Sequence, residues 1–173
     1  ILVRANSRPP APQVRLRIGV SGHRVPPKLP QAAEAPLRTR IDRILSTITA
    51  SARSLEGCFP WSQATGERAE FVVVSSLAEG ADRLVAEAGL AAGCSLEVVL
   101  PLPRAEYARD FNSDDSRAVF AELLGRASAV FELDGVADQR ARAYKASGLM
   151  MLSNVDLLIA IWDGEEAAGV GGT

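Results

Sequence analysis

Five short apolar runs separated by stretches of helical periodicity leave this chain little choice of architecture. Residues 14–20, 71–75, 96–100, 129–133 and 157–162 have the length and apolar content of strands. Between the first two, Leu37, Ile41, Ile44, Leu45, Ile48, Ala52 and Leu55 recur on one face of a helix of about five turns. A second helix is expected over 80–92, with Leu84, Val85 and Ala88 inward and Gly93 as its stop. Ser113, Asp114 and Asp115 offer capping groups to a third, which bears Val119, Phe120, Leu123 and Leu124, and a weaker one is expected over 136–152. Strands joined by helical crossovers must run parallel, with helices on both faces of the sheet. The expected fold class is therefore α/β: a Rossmann-like, three-layer α/β/α domain with a mostly parallel central sheet. The nearly continuous apolar runs at 71–74 and 157–162 read as central strands covered on both sides.

Bulk properties narrow the function classes. At 173 residues and 47% hydrophobic the chain supports one domain with a real core. Lys plus Arg (19) nearly balances Asp plus Glu (21), so no net field favours nucleic acid or a membrane surface. No run approaches the ~20 apolar residues needed to span a bilayer, and no signal peptide is visible. Cys58 and Cys94 make no disulfide framework, and with His23 as the single histidine no zinc site is expected, nor any cofactor. A reducing, cytoplasmic setting is expected. Residues 1–13, with Arg8, Pro9, Pro10, Ala11 and Pro12, read as a linker or extended arm, and 14–173 as the domain. Ending at Gly171, Gly172 and Thr173, it is expected to lack its C-terminal helix.

Three of the runs open into small or anion-friendly residues. The first leads into Ser21, Gly22, His23 and Arg24, where glycine permits close backbone approach and Ser and Arg can donate to phosphate oxygens. A plain turn with solvated His23 and Arg24 fits the same four residues. The second leads through Glu79 into Gly80, Ala81, Asp82 and Arg83, at the start of a helix whose free N–H groups suit an anion. Gly80 as a turn former, Asp82 as a helix-start residue and Arg83 as a solvated charge is the alternative. The last leads into Asp163, a ribose-hydroxyl acceptor or a turn cap, and then Gly169, Gly171, Gly172 and Thr173. That glycine-dense run is either a nest of N–H donors or a flexible tail. It matches neither the dinucleotide fingerprint nor the Walker loop. Strand ends in an open α/β sheet share one crevice, and these residues together predict phosphate binding in it.

The same motifs, in this order, resemble the SLOG superfamily, which groups the DNA-processing protein A fold with the "lonely guy" phosphoribohydrolases. They are Gly22-His23-Arg24, the stretch Leu77 to Arg83, Pro101-Leu102-Pro103, and Asp156 to Gly164 followed by Gly-x-Gly-Gly-Thr. The resemblance spans about Val14 to Thr173. It implies a nucleotide or nucleotide-derived ligand such as an ADP-ribose relative, with a bacterial signalling or defence role beside an effector domain. Carried over by motif, Gly22, His23 and Arg24 line the crevice, Gly80, Ala81 and Asp82 come from the second loop, and Gly169, Gly171, Gly172 and Thr173 hold phosphate. The phosphoribohydrolase branch has Pro-Gly-Gly-x-Gly-Thr followed by a catalytic glutamate, and this chain has a different glycine order. Binding rather than catalysis is therefore the expected activity.

The expected function is a sensor module for an ADP-ribose-like ligand or a nucleoside phosphate, regulating an attached or partner effector or acting as a homo-oligomer. The alternative is an N-glycosidase acting on nucleoside 5'-monophosphates, with Glu79 assisting water. A third reading is an assembly module with no small ligand. No nucleic-acid partner is expected, because the near-neutral chain shows no basic, aromatic-studded groove.

Overall fold

The computed structural model describes residues 14–23, 31–56 and 69–164. Arg24, Gly169, Gly171, Gly172 and Thr173 lie outside the described residues, as do the arm 1–13 and Cys58.

Five parallel strands form one sheet. They are β1 (Arg15–Gly22), β2 (Glu70–Ser75), β3 (Ser95–Leu100), β4 (Ala129–Glu132) and β5 (Leu157–Ile161), in the spatial order β4-β3-β2-β1-β5. Helix α1 (Gln31–Glu56) joins β1 to β2, and α2 (Ala81–Ala91) joins β2 to β3. The single turn α3 (Arg104–Tyr107) and α4 (Asp114–Gly125) lie between β3 and β4, and α5 (Arg140–Leu152) leads into β5. Helices α1, α2 and α4 pack on one face, where Ile18, Val20, Val73, Val98, Ile41, Leu45, Val85 and Phe120 form the main core. Met151 of α5 packs on the other face, against Val72, Val74 and Val99. This is the three-layer α/β/α arrangement, and no helix among the described residues is long and apolar enough to cross a membrane.

The local reasons are legible. Strands β2 and β3 are buried on both faces along almost their whole length, and their sequences, EFVVVS and SLEVVL, carry the β-branched residues such strands favour. Gly93, at φ 82°, stops α2, and the Ser113 hydroxyl caps α4 by accepting from the Ser116 N–H at 3.0 Å. Asp156 sets the register of β5. Its carboxylate accepts from the Arg17 N–H at 2.8 Å, while its own N–H donates to the Arg17 carbonyl at 2.9 Å.

Three expectations need correction. Residues 157–162 do not form a central strand: β5 is an edge of the described sheet, and Leu157 and Leu158 are 42% and 43% exposed. Apolar content reports what a strand can bury, not where the topology puts it. Ser21 and Gly22 are not a turn after the first strand but its last two residues, because β5 supplies backbone partners, with Ser21 opposite Ala160 and Gly22 opposite Ile161. Helix α1 starts at Gln31, well before the apolar repeat, so Pro36 lies inside it.

Candidate functional site

The connection order creates a switch point. From β1 to β4 each crossover passes over the same face and moves the chain one strand further in one direction. The last passes over the opposite face and returns it to the far side of β1. The carboxyl ends of the adjacent strands β1 and β5 are therefore the point where the strand order reverses, which is where open α/β sheets take ligands.

His23 ties three segments together at that point. Its N–H donates to the Ile161 carbonyl at 3.2 Å, and its carbonyl accepts from the Ala81 N–H at 3.2 Å. Its imidazole is buried, with Nε2 3.0 Å from Asp163 Oδ1 and 3.3 Å from the Asp163 N–H. One nitrogen cannot accept the amide proton and donate to the carboxylate together. A ring protonated only on Nδ1 accepts the amide, and one protonated on Nε2 donates to the carboxylate. Gly22 permits this convergence: a Cβ built on it would lie 2.4 Å from the Ala81 Cβ and 2.9 Å from the Ile161 carbonyl oxygen. The first residue of α2 thus sits directly on the end of β1.

The loop from β2 into α2 is held from inside the protein. Leu77, fully buried, takes a left-handed conformation at φ 57°, which costs a side-chain-bearing residue about 1–2 kcal/mol. Its N–H donates to the Ser75 hydroxyl at 3.0 Å and its carbonyl accepts from Arg83 Nε at 3.0 Å. Asp82 accepts from the Ala78 N–H at 3.3 Å. Gly80, at φ 94° and ψ −124°, is the residue before the helix, and no side chain caps that end. Among the described residues, the N–H groups of Glu79 and Gly80 donate to no protein group.

Arg83 does not face water. It is 8% exposed, its guanidinium lies 4.4 Å from the Phe111 ring centre, and Nη1 donates to the Ser116 carbonyl at 3.1 Å and hydroxyl at 2.8 Å. The Ser116 hydroxyl in turn donates to the Glu79 carboxylate. Nη2 is buried without a partner, and burial lowers the guanidinium pKa from its ordinary value. A cleft of about 610 Å³ borders this group, between α1, α2 and the start of α4. Its lining includes Glu79, Gly80 and Arg83 but neither His23 nor Asp163. A second, of about 520 Å³, lies beyond the ends of β3 and β4, between Pro101, Leu133 and α5.

Of the residues predicted from sequence, Gly22, His23, Gly80, Ala81 and Asp163 are brought to the switch point. Ser21 sits within β1, one residue short of its end. Asp82 and Arg83 turn into the loop's own support. Ser75, Leu77 and Ser116 complete that support without having been named as site residues. Ser116 is remote in sequence and carries no motif, and a left-handed leucine leaves no compositional trace.

The fold and the switch point define a Rossmann-like α/β domain. No family model and no curated protein matches the chain. Among solved structures, it is similar to the X-ray structure of TM1055, a structural genomics target, at 14% identity and a TM-score of 0.44. The match covers 84% of this chain and 60% of that one. The chain thus spans about three-fifths of the length of the solved protein it matches.

Proposed function

We propose that this domain is a cytoplasmic sensor that binds a phosphorylated nucleoside-type ligand, ADP-ribose-like or a nucleoside phosphate, and regulates an attached or partner effector. The observation that carries the reading is the meeting of His23, Asp163 and the uncapped start of α2 at the β1/β5 switch point. The N–H groups of Glu79 and Gly80, just ahead of the helix, donate to no described protein group and favour an anion there, and Gly80 brings no side chain to obstruct it. Asp163 is placed to accept from a ribose hydroxyl. The glycine-dense run 169–173 follows β5 in the sequence and would supply further amides to the phosphate, as the SLOG resemblance implies.

The hydrolytic alternative draws on the same His23–Asp163 pair as an acid–base element. Glu79, the other carboxylate nearby, is engaged by the Ser116 hydroxyl, which counts against its activating water. Thermal-shift titration with ADP-ribose, NAD, AMP and adenosine tests the binding reading. The phosphorylated ligands should raise the melting temperature and adenosine should not. Gly80→Val should abolish the response, and a flat response across the panel overturns the reading. Base release from AMP that disappears in His23→Ala would replace it with the enzyme.

A further inference from the structure

We propose that Arg83 is a positioning residue that holds the β2–α2 loop in its anion-accepting form and contacts no ligand itself. The proposal rests on the binding reading above. An arginine three residues past a glycine at a helix start looks like a phosphate ligand, but two of its three nitrogens are held within the protein, and Nη2, the third, is buried. Nε holds the carbonyl of the left-handed Leu77, Nη1 holds two oxygens of Ser116, and the guanidinium packs on Phe111. The side chain is more than nine-tenths buried. A phosphate that took Nη1 would have to displace both oxygens of Ser116, at the cost of stripping water from both charges.

Arg83 acts on the loop by two routes. Through the Leu77 carbonyl it fixes the turn two residues before Glu79 and three before Gly80. Through Ser116 it holds the hydroxyl that engages the Glu79 carboxylate and keeps that charge directed at the first turn of α4. Glu79 immediately precedes the uncapped helix start, so a released carboxylate would compete with a bound phosphate for the same N–H groups and repel it. Arg83 therefore supports anion binding by restraining a negative charge and a strained turn.

Four variants separate this from direct contact, with ADP-ribose as the probe and isothermal titration as the readout. Arg83→Met should weaken binding about tenfold, as expected for loss of charge-assisted hydrogen bonds. Glu79→Gln in the Arg83→Met background should recover at least about threefold, since the freed carboxylate is then neutral. Arg83→Lys should not restore the wild-type affinity, because an ammonium cannot span Leu77 and Ser116 together. Ser116→Ala should mimic part of the loss, and it carries the test where Arg83→Met does not fold. Amide hydrogen exchange over residues 77–81 provides a readout independent of any ligand. It should accelerate in Arg83→Met while the amides of β3 keep their protection. Retained affinity in Arg83→Lys with unchanged exchange at 77–81 would make Arg83 a ligand contact and overturn the proposal. A wild-type protein that binds no ADP-ribose removes the binding reading, and the exchange result then decides alone: acceleration supports the positioning role, and no change overturns it.

Discussion

Three residues at the switch point show how differently single positions report themselves. Gly22 looks like a turn glycine in the sequence, yet its conformation is ordinary strand, and what it permits is contact. A methyl group there would meet the Ala81 Cβ and the Ile161 backbone, neither of which can swing away as a flexible side-chain tip would. Gly22→Ala is therefore expected to cost about 1–3 kcal/mol, the usual range for overpacking, seen as a lower urea midpoint with unchanged slope. Gly80 has the opposite origin, since its φ of 94° with ψ of −124° is open only to glycine. His23 stood out in the sequence as the one histidine and as part of the loop motif after the first run, but its three-way bonding depends on segments far apart in the chain. Cys94 carries a prediction with a definite sign. Burial raises its thiol pKa above the ordinary 9.0, against a smaller opposing pull from Arg53. The unfolded chain then loses that proton first as pH rises, so the folded state is unaffected below about pH 8 and loses stability through pH 9 and above. In a Cys58→Ser background, Cys94 should react with a thiol reagent at neutral pH only at the rate of global unfolding. Fast labelling of folded protein would contradict this.

At the scale of elements, apolar periodicity and end signals located the four longer helices among the described residues, although α2 is buried on nearly every side rather than along one stripe. Their failures have one cause. Periodicity records the apolar residues a helix buries, and residues 33–40 of α1 are half-buried or exposed, so its start at Gln31 was invisible. Strand β5 fails similarly, since its apolar sequence matches that of a central strand but the described sheet ends with it. The α4 start, by contrast, was legible from three capping residues. Ser113 is the cap itself, accepting the Ser116 N–H at 3.0 Å, while Asp114 and Asp115 place negative charge on the first turn. Ser113→Ala should lower stability by about 1 kcal/mol in urea unfolding, without moving any ligand response. A loss of ligand response in this variant would mean that the first turn of α4 takes part in binding directly.

Across the whole molecule, the sequence discloses a β–α alternation and with it the parallel sheet. It does not disclose that the last strand returns past β1. Strand order depends on which face each crossover takes, and that is decided by packing among distant segments rather than by local pattern. The switch point, and so the place where a ligand should bind, follows from the return. If a phosphoester bridges the ends of β1, β2 and β5 there, it links parts of the chain that are far apart and binds only the folded state. Stabilisation should then grow as RT ln(1 + [L]/Kd), reaching about 2.7 kcal/mol at a hundredfold excess of ADP-ribose over its Kd. The dependence is diagnostic, because nonspecific salt effects follow ionic strength and level off differently. His23→Ala removes the side-chain tie to Asp163 and should flatten the curve, whereas Ser113→Ala should shift its baseline and keep its slope. Equal slopes in wild type and His23→Ala would show that the crevice at β1 and β5 is not where the ligand sits.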